Sequence, residues 1–148
     1  MTIADELTRL SSVFIDTAPI IYYIEAHPLF GPPTKEIVET LPSRNISAYS
    51  SVVTLTEVLP KPIETGNEIL AKKFVEYLEH GAHLTLLEIT TDIAKEAGTL
   101  RGHYADLRAL DAIQIATALD IKADAFLTND KKLKKIKEIR VLVLQDYA

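Results

Sequence analysis

Short apolar blocks alternate along this chain with longer amphipathic stretches. Val13-Phe14-Ile15 is the clearest block, a run suited to a strand buried on both faces. Further strands are predicted over residues 45–50, 83–87, 125–128 and 140–144. Between them the apolar spacing turns helical. Helices are predicted over residues 19–25, 34–41, 52–59, 67–80, 91–104 and 110–121. The second is entered through the prolines of a loop at 27–33, and Pro60-Lys61-Pro62 stops the third. The fourth places Ile69, Leu70, Phe74, Val75 and Leu78 at helical spacing before Gly81, a C-terminal signal. Thr91 or Asp92 caps the fifth. The sixth is alanine-rich, with Ile113, Ala116 and Leu119 available for packing.

Strands separated by helices imply an α/β fold with a mainly parallel sheet covered on both faces. A length of 148 residues matches one domain, residues 1–148. Hydrophobic residues make up 47% and charged residues 25%, as a globular chain requires. Cysteine is absent, which excludes disulfides, thiolate zinc sites and cysteine nucleophiles. No apolar run approaches the roughly 18 residues of a membrane span, and the first residues lack the pattern of a secretory signal. A cytoplasmic location and no membrane partner are expected.

Four carboxylates break the apolar pattern where desolvation is costly. Asp16 follows Val13-Phe14-Ile15, Glu57 lies within Val53-Thr54-Leu55-Thr56-Glu57-Val58-Leu59, Asp111 within Leu110-Asp111-Ala112-Ile113, and Asp130 ends Phe126-Leu127-Thr128-Asn129-Asp130. Asp16 and Asp130 each follow a predicted strand, at the sheet edge where open α/β folds bind ligands. Taken singly, each acid has a structural explanation. Asp16 can cap the following helix, Asp111 can favour a helix dipole, Asp130 can cap the lysine turn, and Glu57 can face solvent. Taken together, converging acids repel one another, and a divalent cation relieves that repulsion. Magnesium and manganese take oxygen ligands and activate water against phosphodiesters.

Other chemistries lack support. His27, His80, His83 and His103 have no zinc-ligand spacing, Ser50-Ser51 is not a nucleophile elbow, and no glycine-rich phosphate loop occurs. Tyr22-Tyr23 and Phe74 read as packing. The net charge of −5 conceals an asymmetry: residues 1–130 carry a balance of −9, residues 131–148 one of +4. The basic run at 131–140 reads as a solvated amphipathic turn with Leu133 and Ile136 buried. Its position after Asp130 also suits contact with a polyanion.

These motifs, in this order, resemble the PIN-domain family of metal-dependent nucleases, especially VapC-type toxins. Phe14-Ile15-Asp16-Thr17-Ala18-Pro19-Ile20-Ile21-Tyr22 is similar to the opening strand and first acid. Ser51-Val52-Val53-Thr54-Leu55-Thr56-Glu57-Val58 resembles the second motif. Leu110-Asp111-Ala112-Ile113-Gln114-Ile115-Ala116-Thr117-Ala118-Leu119 resembles the third, and Phe126-Leu127-Thr128-Asn129-Asp130 the fourth. The likeness covers about residues 13–144.

The resemblance implies a three-layer α/β/α sandwich around a five-stranded parallel sheet of order 3-2-1-4-5. It implies that Asp16, Glu57, Asp111 and Asp130 form an acidic pocket for Mg²⁺ or Mn²⁺, with Asp16 and Asp111 as direct ligands. Thr17 and Thr128 correspond to hydroxyl neighbours of the acids. Arg108, one turn before Asp111, either contacts phosphate or makes a surface salt bridge, and Lys131 and Lys132 begin the candidate RNA contact. Asn129 receives no role. The implied reaction is hydrolysis of an RNA phosphodiester by a homodimeric toxin restrained by a small cognate antitoxin. Two alternatives stay open: an antitoxin-free PIN nuclease of RNA processing or repair, and a catalytically silent RNA-binding or interaction module.

Overall fold

The computed structural model describes residues 2–147. Five strands form one parallel sheet: β1 (Ser12–Ile15), β2 (Ser47–Ser51), β3 (Leu84–Leu87), β4 (Ala125–Thr128) and β5 (Arg140–Val143), in the order β3-β2-β1-β4-β5. The helices are α1 (Ile3–Leu7), α2 (Thr17–Ile24), α3 (Gly31–Ser43), α4 (Val52–Val58), α5 (Pro60–Glu64), α6 (Glu68–His80), α7 (Thr91–His103) and α8 (Ala109–Asp120). The result is the α/β/α sandwich, with the strand order that the family resemblance implies.

The central strands explain why both faces are covered. On β1, Val13 and Ile15 point into a core with Ile20, Ile37, Leu41, Phe74 and Leu78. Phe14 points the other way, among Ile93, Leu100, Ala112 and Ile115. On β4, Leu127 joins the first core and Phe126 the second. Phe14 and Phe126 are paired in register and stack with centroids 5.4 Å apart. The alanines of α8 permit close approach on this side, and Ala112, Ile115 and Ala116 are fully buried.

Several boundaries differ from expectation. Helix α3 begins inside the predicted loop, because Pro32 and Pro33 fall in its first turn, where a missing N–H costs nothing. Pro60 ends α4 but also starts α5, for the same reason. Thr90, rather than Thr91 or Asp92, caps α7, its hydroxyl accepting from the Ile93 amide at 3.1 Å. Within α6, Phe74 and Leu78 are buried as expected, whereas Ile69 is 71% exposed. Gly81 ends α6 where a Cβ would sit 2.5 Å from the Tyr77 carbonyl oxygen. Helix α1 has no counterpart in the sequence reading. Leu133 and Ile136 are buried, as the amphipathic pattern requires, in a 3₁₀ turn at Lys131–Lys135 and just after it. No helix of the described residues is long and apolar enough to cross a membrane.

Candidate active site

The carboxyl ends of β1 and β4 lie side by side, with Ile15 opposite Leu127. That register brings the next residues, Asp16 and Thr128, into contact. The Thr128 hydroxyl donates to Asp16 Oδ2 at 2.8 Å, and the Thr17 amide donates to Asp16 Oδ1 at 2.9 Å. Asp16 therefore does cap α2, as its structural explanation held, yet it is also 92% removed from solvent (8% exposed). Burial pushes its carboxyl up to about 6, against the lowering effect of those two donors. The negative charges of Asp111 and Glu57 push in the same direction as burial.

The other acids arrive from separate elements. Glu57 projects from α4 and is half-buried, not directed wholly to solvent. The Thr17 hydroxyl donates to its Oε1 at 2.6 Å. Asp111 stands in the first turn of α8 and pairs with Arg108, whose Nε donates to Oδ2 at 2.9 Å. A second, longer contact runs from the same guanidinium to Oδ1 at 3.4 Å. This ion pair holds the arginine proton more firmly than usual. Asp130 caps the 3₁₀ turn by accepting from the Lys132 amide at 3.0 Å, while its own amide donates to the Thr128 hydroxyl at 3.2 Å. Thr128 thus bridges the two acids that follow strands.

Asp16, Glu57, Asp111 and Asp130 line one cavity of about 340 Å³, together with Thr17, Thr128 and Arg108. Tyr22 and Asn129 complete the wall, and the Asn129 amide donates to the Tyr22 hydroxyl at 3.1 Å. Sequence reading gave Asn129 no role; it also ties the wall to Gln145 by two hydrogen bonds. A second cavity of about 210 Å³ shares Arg108, Asp111 and Asp130 and adds Lys132 and Lys135. Lys131 is exposed and lines neither. Lys134 and Lys135 are engaged by Asp146 and Asp106, and Arg140 by Glu6.

The donor set suits a hard divalent cation. Among the described residues, four carboxylates and the hydroxyls of Thr17, Thr128 and Tyr22 line one cavity, and Arg108 is the one cation in its lining. Among the described residues, no three acidic or histidine side chains are already closed around an ion position. Each carboxylate instead accepts from a neighbouring hydroxyl, amide or guanidinium. The acids are gathered and oriented, and Arg108 partly balances their charge.

A family model described as the PIN domain matches residues 13–139. The chain belongs to the PIN domain family. No curated protein sequence matches it. Among solved structures, VapBC2 from Rickettsia felis, bound to a DNA fragment from its promoter, aligns at a TM-score of 0.74 and 19% identity. The alignment covers 89% of this chain and 98% of that one. A toxin–antitoxin complex from Klebsiella pneumoniae aligns at 0.66 and 22% identity, covering 89% and 97%. VapC20 of Mycobacterium tuberculosis, described as a toxin that cleaves the sarcin–ricin loop, aligns at 0.68 and 14% identity over 86% and 98%. At these identities the likeness establishes the shared PIN fold.

One group of residues escaped the sequence reading. Ser50, Ser51, Thr54 and Gln114 are buried polar side chains beneath the acids. The available signal was positional. Thr54 lies one turn before Glu57 and Gln114 one turn after Asp111, each on the same helical face as the acid it neighbours.

Proposed function

We propose that this PIN domain is a Mg²⁺- or Mn²⁺-dependent endoribonuclease and the toxin of a toxin–antitoxin pair. The observation that carries this reading is the convergence of Asp16, Glu57, Asp111 and Asp130 on one cavity, balanced by a single arginine. Asp16 and Asp111 would hold the ion directly, with Glu57 holding it directly or through water and Asp130 holding a second ion or orienting the attacking water. When bound, such an ion supplies charge stabilisation at a phosphoryl oxygen and a more acidic water.

The residues of the chain supply placement. The Thr17 amide and Thr128 hydroxyl fix both oxygens of Asp16, and the Thr17 hydroxyl fixes Glu57. Arg108 is 76% exposed and held by one carboxylate, so its guanidinium can turn to a phosphate when Asp111 is otherwise occupied. Lys132, in the adjoining cavity, suits the next phosphate along an RNA strand. Water attack at phosphorus would leave a 5′-phosphate and a 3′-hydroxyl.

The toxin reading adds a restraint. An apolar groove of about 900 Å³ runs between α2 and α6, lined by Tyr23, Ile24, Ile69 and Tyr77 among others. Asp16 caps the start of α2 and the groove meets its last turn at Tyr23 and Ile24, so an antitoxin seated in the groove would have to continue along α2 to cover the acids. Ile63, 67% exposed on α5, suits a homodimer contact. VapBC2 from Rickettsia felis and the toxin–antitoxin complex from Klebsiella pneumoniae, both structural neighbours, support a partner of this kind.

The deciding experiment is cleavage of a structured RNA by purified protein with Mg²⁺ or Mn²⁺, beside Asp16→Asn. Metal-dependent cuts that vanish in Asp16→Asn are expected. Intact cleavage in that variant would overturn the proposed site. Growth arrest on induction, relieved by a small protein encoded alongside, is expected of a toxin; harmless expression would favour an antitoxin-free nuclease.

A further inference from the structure

We infer that Thr54 and Gln114 are positioning residues that hold Glu57 toward the acidic cavity through a buried, one-way chain of hydrogen bonds. Thr54 is 0% and Gln114 1% exposed. Both lie in a core where an unpartnered polar group is costly, so their bonds are built features. The Gln114 Nε2 donates to Thr54 Oγ1 at 2.8 Å, and the Ser50 hydroxyl donates to the same oxygen at 3.0 Å. Gln114 Oε1 in turn accepts from the Ser51 hydroxyl.

Donor counting fixes the direction. A hydroxyl has one proton. The Thr17 hydroxyl spends its proton on Glu57 Oε1, so across the 3.4 Å contact between Thr17 and Thr54 the proton comes from Thr54. Thr54 already accepts twice and has its own proton free for that purpose. Every proton along the path Ser51–Gln114–Thr54–Thr17 therefore points toward Glu57. The chain also ties α8, which carries Asp111, to α4, which carries Glu57. Two acids separated by 54 positions are thereby set against each other by a polar strut as well as by apolar packing.

This inference rests on the reading of Glu57 as part of the metal-dependent site. The test measures Mn²⁺ binding by calorimetry and RNA cleavage in Thr54→Val, Thr54→Ser, the double variant Thr54→Val/Gln114→Met, and Glu57→Gln. Thr54→Val keeps the shape but removes the donor to Thr17. We expect Mn²⁺ affinity and cleavage to fall about tenfold, the low end of what losing such a support costs. Thr54→Ser, which keeps the hydroxyl, should restore both. The double variant removes both ends of the Gln114–Thr54 bond with groups of similar volume but takes the acceptors from the Ser50 and Ser51 hydroxyls, so its folding is checked by thermal unfolding, and its Mn²⁺ affinity should stay reduced. If Glu57→Gln weakens Mn²⁺ binding but Thr54→Val and the folded double variant bind as wild type does, the positioning role is overturned. If Glu57→Gln itself changes neither binding nor cleavage, the reading of the acidic site fails instead.

Discussion

The two ends of the central β1–β4 pair each carry an aspartate, and the two aspartates live differently. At the amino end, Asp124 is exposed, and its Oδ2 accepts from the backbone amides of Ser11 and Ser12 at 2.7 and 3.1 Å. The Ser12 hydroxyl accepts in return from the Asp124 amide at 3.0 Å, and the exchange pins the start of β1 to β4. No other acid crowds it in that exchange. At the carboxyl end, Asp16 is buried, and the charges of Asp111 and Glu57 add to the burial that raises its carboxyl to about 6. Each carboxylate accepts from two donors, and what sets Asp16 apart is its burial and the nearby charges of Asp111 and Glu57. An acid whose charge is met by the fold is a fastener, whereas acids gathered around one arginine are where the proposed cation would bind.

The largest expected effect separates these roles in activity. Asp16→Asn should lower RNA cleavage by at least about 10²-fold, the scale of removing one preorganised electrostatic group. Asp124→Ala should leave turnover unchanged at a temperature where it is folded. Equal losses in single-turnover assays would erase the distinction between the two ends.

A second effect concerns stability and pH. Asp16 has a folded value of about 6 and an unfolded value of about 3.9. Its stabilising contribution is therefore complete below about pH 4 and is lost as pH rises through 6. The difference is on the order of 3 kcal/mol. In metal-free buffer with chelator, urea unfolding of wild type and Asp16→Asn should agree near pH 4. Wild type should then fall behind by pH 7. A pH-independent gap would place Asp16 in a solvated setting instead. With Mn²⁺ present, affinity should weaken below about pH 6, as protons compete for the same carboxylate.

Much of this division was legible in the residues. Val13-Phe14-Ile15 and Phe126-Leu127-Thr128 announce central strands because both alternating faces are apolar, and acids placed just beyond them fall at the binding edge. The placement of Glu57 and Asp111 followed from motif order; their helices alone left the direction of each carboxylate open. Helix α1 was not legible, because five residues are too few to show a period, and its stability comes from a Thr2–Asp5 capping box and from buried Ile3 and Leu7. Pro60-Lys61-Pro62 reads as a stop, and only the path of the chain shows that the stop is also a start. Thr54 and Gln114 were missed for a related reason. A polar residue in a helix reads as a solvent-facing position, and burial is visible only once the neighbouring helix is in place.

A smaller effect sharpens the other end of β1. Asp124→Ala removes the acceptor of two backbone amides that water can partly replace, so a loss of about 1–2 kcal/mol is expected. Chemical unfolding at pH 7 measures it. No loss would mean that the register of β1 against β4 rests on Val13, Phe14 and their partners alone.

The same distinction between met and unmet charge applies to the lysine run and gives the smallest expected effect. Lys134 and Lys135 face Asp146 and Asp106, so their charges are largely met within the fold. Lys132 borders the cavity that holds Arg108, Asp111 and Asp130, and among the described residues its ammonium has no ion-pair partner. Lys131 is exposed and borders neither cavity. Single-stranded RNA binding loses about 0.7 from its log–log salt slope for each phosphate contact removed. Measured in the Asp16→Asn background to prevent cleavage, Lys132→Gln should lower the slope by about that amount. Lys131→Gln should lower it less, and Lys134→Gln should leave it unchanged while freeing Asp146. A slope that falls equally for all three would make the run a diffuse basic surface, in which proximity to the acids confers no advantage.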